Sequence, residues 1–139
     1  MAVDNALGQA FTYNRKTELT AEEKANVELV NSFVMSFWNP EEILYSSIAP
    51  DGVVRTAHVL PPTVGPEGCR EQIFQHLKST DRVDVRIHDT FAEGPIVVNI
   101  RTDIVQSEDK PDQPFPLVGV FYLKDGRIQE WTDYVCGES

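Results

Sequence analysis

The sequence predicts an α+β domain in which a curved, mixed or antiparallel sheet wraps over three helices and encloses a pocket. Three helical patterns fall in the first part of the chain, and four strand patterns follow one another in the second part. Helices that precede a run of antiparallel strands are typical of this class. The length of 139 residues suits one domain with one core.

The first helix is predicted from a capping box and an apolar stripe. Thr20 and Glu23 fit the pattern T-x-x-E that starts many helices. The stripe that follows recurs at helical spacing and consists of Val27, Val30, Val34 and Phe37. Residues 1–19 show weak periodicity and are predicted to be an irregular arm, so that residues 20–139 form the single domain.

Two shorter helices complete the helical layer. The second has Asn39 as its cap and Pro40 in its first turn, and it ends before Pro50. The third covers residues 67–77 and is predicted to turn three apolar side chains inward, those of Ile73, Phe74 and Leu77.

The strands are predicted from alternating or β-branched runs. Residues 106–114 are polar and rich in proline, which predicts a loop, and Asp125-Gly126 predicts a hairpin turn. The predicted strands are residues 52–60, 82–92, 97–105, 116–123 and 127–135.

Composition excludes several classes of partner. The formal net charge is −10, which disfavours nucleic acid and anionic membranes because both require a basic face. No apolar run approaches the ~20 residues of a membrane helix, and no export signal is visible. Cys69 and Cys136 lack metal-ligand spacing and are expected to be free thiols in a cytoplasmic protein.

Three charged residues stand in two otherwise apolar strands. Arg101 and Asp103 point to one side of their strand, and Asp133 shares a face with Trp131 on the final strand. If these side chains face the core, the forked donors of Arg101 can hold both carboxylates, and a shared proton would remove the excess negative charge. Such a pair suits concerted acid–base catalysis. The alternative is that Arg101 and Asp103 face water on the outer side of the sheet.

The carboxy-terminal part resembles the limonene-1,2-epoxide hydrolase family, in the SnoaL-like branch of the nuclear-transport-factor-2-like fold. The matching motifs are Arg101-Thr102-Asp103, LVGVFYL at residues 117–123, Asp125-Gly126 and Trp131-Thr132-Asp133-Tyr134. The resemblance implies hydrolysis of a small lipophilic epoxide, with Asp133 as base, Asp103 as acid and Arg101 orienting both. The implied reaction requires no metal or cofactor, and the resemblance also implies a homodimer.

The chain departs from this family at the groups that hold the nucleophilic water. The family uses a Tyr and an Asn, and the alignment places Val54 and Thr56 there, with His58 on the same predicted face. His58 could supply the missing polar group, or it could be an exposed residue at a strand end. The departure leaves two other functions open: a SnoaL-like isomerase or cyclase in which the substrate supplies its own nucleophile, and a binding module without catalysis. His76 and His88 are predicted to be solvated.

Overall fold

The computed structural model describes residues 2–4, 10–12, 16–36 and 41–137. Within the predicted irregular arm, β1 and β2 form a small antiparallel pair of their own. The elements in chain order are β1 (Ala2–Asp4), β2 (Ala10–Thr12), α1 (Ala21–Ser36), α2 (Glu41–Ser47), β3 (Ile48–Arg55), β4 (Thr63–Val64), α3 (Gly65–Leu77), β5 (Arg82–Glu93), β6 (Ile96–Ser107), β7 (Lys110–Lys124) and β8 (Arg127–Val135).

The main sheet has six strands in the order β4-β3-β8-β7-β6-β5. Strands β5 to β8 form an antiparallel meander. Strand β3 pairs with β8 in parallel orientation and with β4 in antiparallel orientation. Register shifts interrupt several of these ladders, as in sheets that bend. The predicted α+β class, with a mixed sheet packed on three helices, is confirmed. None of the helices in the described part of the chain is long and apolar enough to cross a membrane.

Helix α1 begins at the predicted capping box. The Thr20 hydroxyl accepts the Glu23 backbone N–H at 3.1 Å, and Glu23 Oε1 accepts the Thr20 backbone N–H at 2.8 Å. The helix packs on the sheet through a buried stripe that consists of Val30, Phe33 and Val34. Phe37, Asn39 and Pro40, which were assigned to the stripe and to the second cap, lie outside the described residues.

The strand predicted at residues 52–60 is displaced. Strand β3 starts earlier and ends at Arg55, so Thr56 and His58 lie in the turn beyond it. The ladder stops here because the backbone N–H of Thr56 donates to the side chain of Gln72, at 2.8 Å, rather than to a strand. Side-chain alternation from Val54 to His58 therefore does not hold.

The predicted loop at residues 106–114 is mostly strand. β6 extends to Ser107 and β7 starts at Lys110, with these two residues paired across a tight turn. β7 meets β8 only from Leu117 onward, so the proline-rich start of β7 is an exposed edge. Prolines are tolerated there because they need not donate to a second neighbouring strand.

Phe74 also departs from its prediction. Its side chain is 44% exposed, and the guanidinium of Arg70 lies 4.7 Å from the centre of its ring. Ile73 is buried as predicted, and it forms the inward face of α3 with Gly65 and Cys69, at a spacing of four residues. Leu77 is partly buried against the core.

Candidate active site

Arg101 lies at the centre of a buried ionic cluster. Its Nε donates to Asp103 Oδ1 at 2.9 Å, and its Nη2 donates to Asp133 Oδ2 at 2.6 Å and to Asp103 Oδ2 at 3.3 Å. Arg101 is 1% exposed, and both carboxylates are buried as well. The structure thus brings together the three residues that sequence reasoning singled out, on the inner side of the sheet.

Strand alternation and register explain this convergence. Asn99, Arg101 and Asp103 occupy alternate positions on β6 and face inward, while Ile100 between them lies on the outer face. Asp133 reaches the same place from β8, two strands away. The strand between them, β7, presents Gly119 directly opposite Asp133.

Gly119 provides the space in which Arg101 and Asp133 meet. A β-carbon at this position would lie 2.7 Å from Arg101 Nη1 and 2.9 Å from Asp133 Oδ1. Both separations are shorter than a non-bonded contact allows, so a larger residue would displace the ion pair. Sequence reasoning missed this residue, although an isolated glycine inside a strand is a known sign of close approach.

A chain of amides fixes Arg101 from the other side. Asn99 Oδ1 accepts from Arg101 Nη1 at 2.8 Å, and Asn99 Nδ2 donates to Asn31 Oδ1 on α1 at 3.2 Å. The Thr90 hydroxyl donates to the same Asn31 oxygen at 3.1 Å. Asn99 was also missed, although the inward periodicity of β6 extends to it. The guanidinium is therefore held by neutral groups as well as by its carboxylates.

Trp131 orients Asp133. Its indole Nε1 donates to Asp133 Oδ1 at 2.7 Å, so the two carboxylate oxygens accept from different donors. The indole ring stacks on Phe121 with a centroid distance of 5.5 Å, and it meets Phe33 edge-on at 5.1 Å. These contacts fix the ring, and through it the direction of the carboxylate.

Burial makes both carboxyl groups of the cluster bind a proton more readily than exposed ones do. Burial raises the pKa of Asp103 and of Asp133, and the charge of Arg101 opposes that rise in both cases. Two ionised carboxylates would leave one negative charge uncompensated in a region of low dielectric. Burial, together with the charge of Asp133, also raises the pKa of Cys69 to about 12, so its thiol is an inert packing group.

The cluster opens into a cavity of about 580 Å³. Its walls are largely apolar and come from α3, from strands β5 to β8, and from the turn after β3. The apolar lining residues are Ala57, Val59, Ile73, Leu77, Val83, Val105, Phe115, Leu117, Trp131 and Val135. Ser79, Thr80, Ser107, Lys110 and Gln113 add polar groups.

The residues predicted to position water or substrate lie in different environments. Val54 is fully buried in the core and does not line the cavity. Thr56 lines it and hydrogen-bonds to Gln72 and His76. His58 lines it as an exposed residue that stacks on Tyr134, and its Nδ1 accepts the backbone N–H of Val135 at 3.3 Å.

Two other histidines were predicted to be solvated. His88 is exposed and meets the Thr102 hydroxyl at 2.8 Å, outside the cavity. His76 keeps exposed surface but also lines the cavity, and burial by neighbouring atoms lowers its pKa. Gln72 and His76 are four residues apart on one helix, and this spacing indicates that their side chains share a face.

The described residues contain no group of three or more His, Cys, Asp or Glu side chains that could hold a metal ion. Every buried side-chain nitrogen and oxygen among them has a hydrogen-bond partner. The polar cluster is therefore completed by protein groups within itself, with its carboxylates lining the cavity.

A family model described as the limonene-1,2-epoxide hydrolase catalytic domain matches residues 24–136, which is most of the chain. The chain belongs to the limonene-1,2-epoxide hydrolase family. The matched range includes all three members of the Arg101, Asp103 and Asp133 cluster. The resemblance inferred from the carboxy-terminal motifs is thereby confirmed.

Solved structures share the fold of this family member. A limonene-epoxide-hydrolase-like epoxide hydrolase from M. tuberculosis has a TM-score of 0.70 and 23% identity, over 83% of this chain and 85% of that chain. A putative SnoaL-like polyketide cyclase from Jannaschia sp. CCS1 has a TM-score of 0.76 and 17% identity, over 86% and 91%. No curated protein sequence matches the chain.

Proposed function

We propose that this protein is a cofactor-independent hydrolase that opens a small lipophilic epoxide with water in a single step. One observation carries the proposal: Arg101 bridges two buried carboxylates at an apolar cavity, through contacts of 2.9 Å to Asp103 and 2.6 Å to Asp133. Acid–base catalysis requires one proton acceptor and one proton donor at the same place. A pair that shares a single proton supplies both.

The proposed step balances its protons. Asp133 takes a proton from water while the water oxygen bonds to an epoxide carbon. The carbon–oxygen bond of the ring breaks, and the ring oxygen takes the proton of Asp103 to give a diol. Asp133 then holds the proton and Asp103 is ionised, so one proton transfer restores the starting state. Arg101 contacts both carboxylates and orients them throughout.

Asp133 suits the role of base. Trp131 Nε1 carries a hydrogen and no lone pair, so Asp133 Oδ1 must accept from it. Asp133 Oδ2 accepts the shortest hydrogen bond that Arg101 donates. The longer contact, at 3.3 Å, falls on Asp103 Oδ2, which makes this oxygen the better place for the shared proton. Asp103 therefore suits the role of acid.

The cavity supports an apolar substrate. Its volume of about 580 Å³ lies within the ~300–1,000 Å³ of small-molecule sites, and its walls are mostly hydrocarbon. Among the described residues, the charged side chains that line it are those of the cluster and Lys110, and two histidines line it as well. The two carboxylates then lie where an otherwise lipophilic molecule presents its strained oxygen.

Isotopic labelling tests the proposal. Turnover of a panel of lipophilic epoxides in ¹⁸O-labelled water should place one labelled oxygen in each diol. Asp133→Asn and Asp103→Asn should each lower kcat by ~10²–10⁴-fold, because each removes one proton-transfer group. Asp51→Asn changes an exposed aspartate on β3 and should leave kcat unchanged. Absence of diol across the panel would contradict the proposal.

A second function is favoured by Val54. This side chain is apolar and buried in the core, at the position aligned with the water-holding Tyr. A SnoaL-like isomerase or cyclase would use the same Asp103, Arg101 and Asp133 set on a substrate that supplies its own nucleophile. Turnover without solvent oxygen, abolished in Asp133→Asn, would identify this activity. Ligand affinity unchanged in both Asp→Asn variants, with no turnover, would identify a binding module.

The biological setting is part of the proposal. We propose a cytoplasmic homodimer that acts on a small molecule and binds neither nucleic acid nor membranes. The net charge of −10 supports the absence of binding to nucleic acid and to membranes, since it would repel nucleic acid and anionic lipid surfaces.

A further inference from the structure

Gln72 has only one possible orientation of its side-chain amide. Its Oε1 accepts the backbone N–H of Thr56 at 2.8 Å, and its Nε2 donates to the backbone carbonyl of Pro61 at 2.9 Å. The reversed amide would place two donors together at Thr56 and two acceptors together at Pro61. Backbone groups cannot exchange these roles, so Gln72 Oε1 is an acceptor.

This orientation determines the proton of the Thr56 hydroxyl. Thr56 Oγ1 lies 2.9 Å from Gln72 Oε1, and because an amide oxygen carries no hydrogen, the hydroxyl must donate. A hydroxyl has one hydrogen to give. Towards His76 Nε2, also at 2.9 Å, Thr56 Oγ1 must therefore accept, and His76 must carry a hydrogen on Nε2. We call Gln72, Thr56 and His76 the hydroxyl relay.

The hydroxyl relay lies beside the base of the proposed reaction. Arg55 and Thr132 form the last pair of the parallel β3–β8 ladder, and Thr56 and Asp133 are the residues that follow them, with Thr56 just beyond the end of β3. Thr56, His76 and Asp133 all line the same cavity.

We propose that the hydroxyl relay holds the nucleophilic water. One lone pair of Thr56 Oγ1 accepts from His76, and the other accepts one hydrogen of the water. The second hydrogen of the water goes to Asp133, so a water lone pair is directed away from both groups, towards the epoxide carbon. Thr56 touches the water and His76 acts through it as a positioning residue. This inference rests on the proposed hydrolysis and assigns residues that replace the family's Tyr and Asn.

Matched variants of Thr56 test the contact with water. Thr56→Val keeps the shape and removes the hydroxyl, and it should lower kcat by ~10–100-fold because a displaced nucleophile attacks poorly. KM for the epoxide should change by less than about twofold, since the substrate does not bind to this hydroxyl. Thr56→Ser keeps the hydroxyl and should retain most of kcat.

Matched variants of His76 test the positioning role. His76→Gln keeps an N–H that can donate to Thr56, whereas His76→Leu keeps only bulk. His76→Leu should lower kcat by ~10-fold with KM preserved, and His76→Gln should restore it. An active wild type whose Thr56→Val and His76→Leu variants keep the wild-type kcat would overturn the inference and leave the proposed hydrolysis standing.

The ring tautomer gives a test without substrate. Nitrogen-15 spectra of the histidine rings, assigned with His76→Gln, should show the hydrogen of neutral His76 on Nε2. Thr56→Val removes the acceptor and should shift the ring towards a mixture of tautomers. A hydrogen on Nδ1 in the wild type would overturn the inference. Inability of the wild type to hydrolyse any epoxide would instead overturn the proposed function, and the water-holding role with it.

Discussion

Arg101 carries one positive charge between two carboxylates, and this imbalance governs the chemistry of the site. Burial raises the pKa of both acids against the opposing charge of the guanidinium, so the cluster binds a proton more readily than two free carboxylates would. The proton belongs to the pair rather than to one residue, and the pair titrates as a unit. The singly protonated state is the one that contains both a base and an acid.

The pH dependence of the proposed hydrolysis follows from this state. Asp133 must be ionised, so the rate rises with pH as the doubly protonated pair loses its first proton. Asp103 must be protonated, so the rate falls once the pair loses its second proton. Since both pKa values are raised above the ~3.9 of free aspartate, the optimum should lie above pH 4. Measured kcat/KM should be bell-shaped, and a flat profile from about pH 4 to about pH 9 would contradict the shared proton.

Gly119 gives a prediction that concerns space rather than charge. In Gly119→Ala, the new methyl group would collide with Arg101 and Asp133, so the ion pair must shift. We expect a ~10²-fold loss of kcat, since displacement by about an ångström is enough for this. Val120→Ala, on the opposite face of the same strand, is the control and should keep its activity. A Gly119→Ala enzyme with normal kcat would show that the cluster is not the reacting centre.

Sequence reasoning found the charged members of the site and missed the neutral ones. Arg101, Asp103 and Asp133 were identifiable because charges in apolar strands require an explanation. Asn31, Asn99 and Gly119 are ordinary residues of helices and strands, and only the packing of α1 against β6 and the register of β7 reveal their roles. Pattern alone does not encode contacts between distant elements.

At the scale of elements, the start of α1 is tied to the far end of the meander. Glu23 accepts from Lys16 at 2.6 Å, from Thr20 in the capping box, and from the backbone N–H of Gly94 in the β5–β6 turn at 2.7 Å. Lys16 also contacts Glu93 at 3.1 Å. Hydrogen bonds from these donors lower the pKa of Glu23 to about 2, and the bond from Lys16 has the largest effect.

Acid titration of stability tests this junction. Because the pKa of Glu23 falls from 4.5 to about 2 on folding, its carboxylate stabilises the fold above pH 4.5, and that contribution disappears as the pH falls towards 2. Glu23→Gln should therefore lower the denaturation midpoint near neutral pH and differ little from the wild type near pH 2. Glu22→Gln changes the exposed neighbouring residue and is the control. A difference that persists unchanged down to pH 2 would contradict the assignment.

Elements were predictable where their signals are local. The capping box of Thr20 and Glu23 appears as expected, and Asp125-Gly126 forms the hairpin with both residues at positive φ, 51° and 74°. The start of β7 was mistaken for a loop because its polar residues and prolines carry no strand signal. Its strand conformation comes from pairing with the extended end of β6, which is a tertiary effect.

At the scale of the whole molecule, the outer face of the sheet supports the proposed homodimer. Ile100, Val118 and Tyr134 lie side by side across β6, β7 and β8, with Ile100 37% and Tyr134 49% exposed. Ile100→Lys should convert the dimer to a monomer because a charge would be buried in the interface. Light scattering after gel filtration measures this mass. Val64→Lys, an exposed apolar position on β4, should remain dimeric.

The strand order also has a consequence for how the molecule folds. Among the six described strands of the main sheet, β8 comes latest in the sequence, yet it lies between β3 and β7 and connects the meander to the β3–β4 side. Its parallel pairing with β3 joins residues as distant as Ile48 and Ile128. Contacts of such long sequence separation form slowly, and the ribosome makes β8 after the other five strands of this sheet. Asp133 can therefore reach Arg101 only after the other strands of this sheet have been synthesised, and until then the chain contains one acid of the proposed pair.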